Sequence, residues 1–74
     1  SNSDMLQYQL AKFEEIMNQN LKNKGQKIVF IHGKGNGVLR NEILKRLKQK
    51  YSSCEAHDAS FLEYGYGATM VKIR

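Results

Sequence analysis

The stretch IVFIHGKGNGVLRNEIL, from Ile28 to Leu44, predicts a strand, a glycine-rich turn and a helix in immediate succession. Its first four residues form a continuous apolar run rich in β-branched side chains, which is typical of a strand covered on both faces. The turn contains Gly33, Gly35 and Gly37, which can adopt positive φ and allow another molecule to approach the backbone. We expect the rest of the chain to pack around this unit.

The glycine-rich turn also predicts a site for anions. Its amide N–H groups point outward, and the following helix begins with unsatisfied donors and the positive end of its dipole. Lys34 and Arg40 add full positive charges, and Asn36 tolerates the turn conformation while offering a donor. The pattern does not fit a P-loop, because Lys34 precedes the last glycines. A dinucleotide-binding unit would need an acidic strand end that is absent at the required distance. The predicted ligand is therefore a phosphate compound of unspecified class.

Length and composition predict a small soluble domain. A chain of 74 residues forms one domain with a thin core, and 41% hydrophobic residues suit a globular fold. The apolar runs are far shorter than a membrane span, so we expect no membrane association. The single Cys54 cannot form an internal disulfide, which favours a reducing compartment and predicts a cytoplasmic protein.

The positive charge is concentrated around the turn. The net charge is +5, and residues 27–50 contain seven lysines and arginines against Glu42 alone, a local net charge of +6. We expect this segment to bind DNA or RNA through phosphates, with the surface extended along the helix by Lys45, Arg46 and Lys48. The alternative for the last basic residues, Lys48 and Lys50, is a solvated helix end that complements the dipole.

Apolar spacing predicts two helices. The first begins near Ser3 or Asp4 as the cap and ends at Gly25. Its buried stripe comprises Leu6, Leu10, Phe13, Met17 and Leu21. The second runs from about Val38 to Lys50, with a stripe of Leu39, Ile43, Leu47 and Tyr51.

The remaining chain predicts two short strands and a loop. Residues 54–59 form a strand, 60–67 a loop and 68–73 a last strand that places Thr69, Val71 and Ile73 on one face. Strands separated by helices predict parallel pairing through crossovers. The predicted fold is an α/β two-layer sandwich, with two helices on a small mixed sheet of three strands and a fourth expected natively. We expect residues 1–74 to be a single domain from a longer chain. The fourth strand of this domain would then precede Ser1 and is missing from residues 1–74.

Three further side chains are candidates for the site. Tyr64 and Tyr66 alternate with glycines and could stack on unpaired bases, although one of them could simply cover the core. His32 could donate to a phosphate or act as a general acid or base. The alternative is a histidine that holds the turn by hydrogen bonds to the backbone.

The run from His32 to Gly37 resembles the HGxGxG signature of Smr (small MutS-related) domains, and a second glycine loop at Gly65 and Gly67 is similar in position. The resemblance implies two helices on one face of a four-stranded mixed sheet, binding of nucleic acid and, in some members, nicking of DNA or cutting of RNA. The family's Asp-Leu-His-Gly motif, implicated in cleavage, has no counterpart in residues 1–5, and Asn36 stands where threonine is commoner.

The leading prediction is therefore a nucleic-acid-binding domain without a cofactor. One alternative is a structure-selective endonuclease that uses His32 and a divalent metal. Another is a protein-interaction module of a larger chain, with Phe61, Tyr64 and Tyr66 as anchors. A metal site near Cys54 is disfavoured, because strand alternation sends His57 and Asp58 to opposite faces.

Overall fold

The structure, a computed structural model, describes residues 2–74. Its elements in chain order are α1 (Asn2–Asn20), β1 (Lys27–Ile31), α2 (Val38–Lys50), β2 (Glu55–Asp58), α3 (Phe61–Tyr64) and β3 (Ala68–Lys72). The two long helices pack together and contribute to one core with the sheet. The architecture confirms the predicted fold of two helices on a small sheet.

The strand order is β1-β3-β2, and β3 is antiparallel to both of its neighbours. β1 and β2 therefore run in the same direction, as expected for strands joined through α2, but they do not pair with each other. The predicted parallel pairing is wrong for two reasons. β3 lies between β1 and β2, and the segment 59–67 that connects β2 to β3 is too short for a parallel crossover. A parallel crossover needs about a dozen residues or more, whereas a shorter connection reverses the chain.

The core lies between the helices and one face of the sheet. Phe13 of α1 packs edge-on against Phe30 of β1 and Tyr51 after α2, with ring centroids 4.8 and 6.1 Å apart. The buried side chains around them are Leu10, Met17, Ile43, Leu47, Val71 and Ile73. Thr69 shares their face of β3, as the alternation predicted. Both helical stripes supply core residues, although Leu6 and Leu39 are only partly buried. The prediction is wrong for Leu21, which is 37% exposed because α1 ends at Asn20.

β1 is an edge strand, not a central one. Phe30 is its only buried residue, and Ile31 is 72% exposed. Since the two long helices cover one face, alternation leaves Val29 and Ile31 on the uncovered face. The prediction that both faces of this strand are covered is wrong for that reason.

Element boundaries differ from the predictions at several places. α1 ends at Asn20 and not at Gly25, and β2 is limited to Glu55–Asp58. α1 begins at Asn2, so Asp4 lies within the first turn and not at the cap. The segment predicted as a loop from residue 60 to 67 contains the single helical turn α3. Among residues 2–74, no helix combines the length and apolar character needed to cross a membrane. The predicted fourth strand concerns sequence before Ser1 and stays a prediction.

Candidate functional site

Two glycine loops meet at one end of the sheet. The antiparallel register places Ile31, at the end of β1, opposite Ala68, at the start of β3. The Gly67 carbonyl accepts hydrogen bonds from the N–H groups of His32 and Gly33, at 2.8 and 3.0 Å. A Cβ on Gly67 would lie 2.7 Å from the Gly33 backbone, so only glycine fits this crossing without a shift. The loops are therefore joined through their backbones.

Residues 33–37 form the glycine turn, which connects β1 to α2. Gly33 and Gly37 have φ of 75° and 81°, in the left-handed region that favours glycine. The Asn36 side-chain oxygen accepts from the Val38 N–H at 3.1 Å, an Asx turn that sets up the start of α2. Within residues 2–74, the amides of residues 34–37 donate to no acceptor. The glycine turn therefore presents donors to solvent.

His32 ties the glycine turn to β3. Its Nδ1 lies 3.0 Å from the Gly33 carbonyl oxygen, and its Nε2 lies 2.9 Å from the Thr69 hydroxyl. Because a carbonyl can only accept, Nδ1 carries the proton, and in the neutral ring Nε2 accepts from Thr69. Thr69 is fully buried, so this bond also satisfies a core hydroxyl. The geometry matches the turn-holding role given above as the alternative to catalysis, and a catalytic role for His32 stays a prediction.

A groove with aromatic walls adjoins the glycine turn. This aromatic groove has a volume of about 370 Å³ and is lined by Ile31, Gly33, Lys34, Phe61, Tyr64, Gly65, Tyr66 and Gly67. The rings of Phe61 and Tyr66 have centroids 4.3 Å apart with planes tilted by 40°. Lys34 Nζ lies 5.9 Å from the Tyr66 centroid, within range of a cation–π contact. The structure thus brings together Lys34 and both predicted tyrosines.

The other predicted basic residues are dispersed. Arg40 forms an ion pair with Asp58 at 3.4 Å, and Arg46 forms one with Glu14 at 3.3 Å. Lys45 and Lys48 have exposed side chains without an ion-pair partner in the described part of the chain. They follow the start of α2 by about 10 and 15 Å along the helix axis, at 1.5 Å per residue. The structure does not bring these two lysines to the glycine turn.

Glu14 is the centre of a second polar group, the Glu14 cluster. Its carboxylate accepts hydrogen bonds from Arg46, Lys50 and Tyr51. Burial raises the pKa of Glu14, but the hydrogen bonds from Tyr51, Lys50 and Arg46 outweigh it, so the net pKa lies below 4.5. Burial, followed by the hydrogen bond to Glu14, raises the pKa of Tyr51 to about 12. These hydrogen bonds and ion pairs join α1 to α2 and to Tyr51 at its end.

His57 and Asp58 occupy opposite faces of β2, as strand alternation predicted. They pair with Met70 and Thr69 in the register with β3, and Asp58 faces Arg40 of α2. Across residues 2–74, no group of three or more histidine, cysteine, aspartate or glutamate side chains could hold a metal ion. The ion pair between Arg40 and Asp58 instead links α2 to β2.

Phe61 and Thr69 contribute side chains to the site but are not among the predicted nucleic-acid contacts. Phe61 was considered only as an anchor for a protein, although Gly65 between it and Tyr66 is a signal for a chain reversal that could bring the rings together. The alternation of the last strand predicts Thr69 on the same face as Val71 and Ile73. The signal there is a hydroxyl within an otherwise apolar stripe, because a buried hydroxyl needs a partner.

A family model described as the Smr domain matches residues 6–74, a span that includes the whole glycine turn and aromatic groove. The chain belongs to the Smr domain family. This confirms the resemblance seen in the HGKGNG sequence. No curated protein and no solved structure matches the chain significantly. Membership places this Smr domain in a nucleic-acid-binding and nuclease-like family.

Proposed function

We propose that this Smr domain binds the phosphate backbone of DNA or RNA at the glycine turn. The observation that carries the proposal is the run of amides at residues 34–37 without an acceptor in the described chain. Successive amides of this kind, next to a helix N-terminus, form a concave site for phosphate oxygens. Gly33, Gly35 and Gly37 shape the backbone, while Asn36 fixes the start of the helix.

Cationic side chains strengthen this site. Lys34 is exposed and has no carboxylate partner among the described residues, so its charge is available to a phosphate. Arg40, in the first turn of α2, is paired with an Asp58 side chain that is 77% exposed. An exposed pair of this kind contributes about 0–1 kcal/mol, so a phosphate competes readily for the arginine. Lys45, Lys48 and Arg46 add to the positive field along α2, and Tyr64 and Tyr66 form the wall beside Lys34.

Salt dependence tests the proposal. Binding of fluorescently labelled DNA and RNA oligonucleotides would be followed by anisotropy over a series of salt concentrations. We expect log K to fall linearly with log salt, with a slope near −0.7 per phosphate contact on single strands and −0.9 on duplex. Binding that is absent, or that does not respond to salt, would contradict a phosphate-based interface.

Endonuclease activity is the second candidate, and membership of a nuclease-like family favours it. For His32 to transfer a proton, Nδ1 or Nε2 must first release the Gly33 carbonyl or Thr69 hydroxyl that it now contacts. Incubation with supercoiled plasmid and structured RNA, with and without divalent metal, tests this activity. This second candidate predicts metal-dependent nicking that His32→Ala abolishes. If the plasmid and the RNA stay intact, the result contradicts endonuclease activity and leaves binding as the proposed function.

Three wider expectations accompany the proposal. A protein partner would use the exposed aromatic anchors Phe61, Tyr64 and Tyr66, and would be recognised as a complex that survives nuclease treatment. The cytoplasmic location and the further domains of a longer chain stay predictions.

A further inference from the structure

The rings of Phe61 and Tyr66 pack against each other and still remain mostly exposed. Their exposed fractions are 55% and 73%, with centroids 4.3 Å apart. Single exposed aromatic residues are common on protein surfaces, but a contiguous exposed apolar patch marks an interaction site. The pair therefore presents exposed aromatic surface against which a planar ligand can pack.

Backbone hydrogen bonds hold this ring pair in place. The Gly65 N–H donates to the Phe61 carbonyl at 2.9 Å, and the φ of 74° at Gly65 ends the helical turn α3. The chain then reverses, so that Tyr66 returns over Phe61. The next residue, Gly67, is anchored to the glycine turn through its carbonyl. A platform ordered before binding loses little conformational freedom when a ligand arrives.

Positive charge lies beside the aromatic surface. Lys34 Nζ is 5.9 Å from the Tyr66 centroid, and the unpaired amides of the glycine turn begin at the same residue. A purely apolar ligand would use the rings and leave the lysine and the amides without partners. A nucleotide has a planar base for the rings and a phosphate for the lysine and amides. Charge complementarity therefore favours a nucleotide unit as the occupant of the aromatic groove.

We infer that the aromatic groove holds an unpaired nucleobase, stacked on the Phe61–Tyr66 pair, with an adjoining phosphate at Lys34. This inference rests on the proposed function and adds a preference for single-stranded DNA or RNA. In a duplex the faces of the bases are occupied by their neighbours, and a base must be flipped out before it can stack on protein. Aromatic stacking on single strands is tolerant of sequence, so the preference is for strandedness and not for a particular base.

Abasic oligonucleotides separate the two parts of this interface. The probes are a labelled single-stranded 12-mer of thymidine, the same strand with abasic sites at its central positions, and a duplex of equal length, all at one salt concentration. Anisotropy is measured for wild type, Tyr66→Ala and Tyr66→Phe. Tyr8→Ala is the matched control, because Tyr8 is 65% exposed and has Lys12 Nζ 5.8 Å from its ring, but lies on α1.

We expect wild type to bind the thymidine strand about 10-fold more tightly than the abasic strand, as stacking of a base on an aromatic side chain implies. Tyr66→Ala should remove this difference, whereas Tyr66→Phe and Tyr8→Ala should keep it. Equal affinity of wild type for the thymidine and abasic strands overturns the stacking inference and leaves phosphate binding intact. Failure to bind any of the three probes overturns the proposed function as well.

Discussion

The Glu14 cluster and the glycine turn both gather hydrogen-bond donors and positive charge, but they differ in what those donors meet. In the cluster, Arg46, Lys50 and Tyr51 converge on a carboxylate whose side chain is 17% exposed. In the glycine turn, Lys34 and the four successive amides of residues 34–37 have no acceptor in the described chain. The basic segment at residues 27–50 therefore has two uses: one part joins the helices, and the other is open to a ligand.

This difference separates stability from binding. A donor that already has an acceptor within the fold contributes to the free energy of unfolding, and its loss leaves a partly buried partner without a bond. An exposed donor contributes little to stability but can contribute to affinity. Changes to the Glu14 cluster should thus alter unfolding, and changes to Lys34 should alter binding.

The largest effect is expected where the two glycine loops cross. In Gly67→Ala the new Cβ would lie 2.7 Å from the Gly33 backbone, so one loop must move. We expect the free energy of unfolding to fall by about 3 kcal/mol, the upper range for an overpacked site. Urea unfolding followed by circular dichroism measures this loss.

Gly35→Ala is the matched control for that prediction. The φ of Gly35 lies outside the left-handed region, and a Cβ there would meet nothing within 4 Å. Its cost should stay within about 0.5 kcal/mol, as for an ordinary surface change. Equal stability of the two variants would show that the loop crossing is not rigid.

The next effect is expected in the Glu14 cluster. Glu14→Gln keeps the shape of the side chain but removes the charge that accepts from Arg46 and Tyr51. Hydrogen bonds to a charged group contribute about 1.5–3 kcal/mol, so we expect the free energy of unfolding to fall by about 2 kcal/mol. Denaturant unfolding at neutral pH gives the value.

Glu15→Gln provides the comparison within the same helix. Glu15 pairs with Lys12 at 3.6 Å, and both side chains are more than half exposed. Such a pair contributes little, so the loss should be below about 0.5 kcal/mol. A cost at Glu15 as large as at Glu14 would mean that burial of the cluster has no energetic role.

Protonation of Glu14 at acid pH removes the same negative charge as Glu14→Gln. Its effect on the free energy of unfolding should therefore be no larger than that of the substitution. The pKa of Glu14 in the folded state lies below its ordinary value of 4.5, because its hydrogen bonds outweigh its burial. The unfolded chain therefore takes up the proton first as the pH falls. The stabilisation is present above pH 4.5 and is lost as the pH falls through the lower, folded pKa.

Unfolding curves from pH 7 to pH 2 measure this loss. Wild type should lose more stability than Glu14→Gln over the acid range, because the variant has no carboxylate at this position to titrate. Parallel losses in the two proteins would place the acid sensitivity elsewhere.

The two long helices and the glycine turn could be predicted from sequence because local signals specify them. Leu10, Phe13 and Met17 recur at the helical period, and all three are buried. The sheet order could not be derived from the apolar run at Ile28 to Ile31, since such a run suits an edge strand or a central one. The short connection between β2 and β3 does indicate that these two strands are antiparallel, because it excludes a parallel crossover.

The candidate site could be predicted only in part, because its central contact depends on the antiparallel pairing of β1 with β3, which was not predicted. The contact between Gly33 and Gly67 follows from the register of β1 with β3, and it carries Lys34 towards Tyr66. The partners of Arg40 and Arg46 were not predictable in the same way. Asp58 and Glu14 lie 18 and 32 residues away in sequence, so these pairs exist only after the helices have packed.

The smallest effect is expected from removing one exposed cation of the glycine turn. Lys34→Ala should leave the free energy of unfolding within about 0.5 kcal/mol of wild type, as for a surface change. If Lys34 contacts one phosphate, the slope of log K against log salt on single strands should become less steep by about 0.7. Anisotropy at four or more salt concentrations gives both slopes.

Lys24→Ala removes the same charge at the opposite end of β1, where Lys24 donates to the Arg74 carbonyl at 2.8 Å. A general attraction between a basic protein and a polyanion would change both variants alike, because each loses one unit of net charge. A localised phosphate site changes the slope for Lys34→Ala alone. Equal slopes in the two variants would therefore contradict a localised phosphate site. Lys34 and the amides of the glycine turn would then bind phosphate no better than the rest of the basic surface.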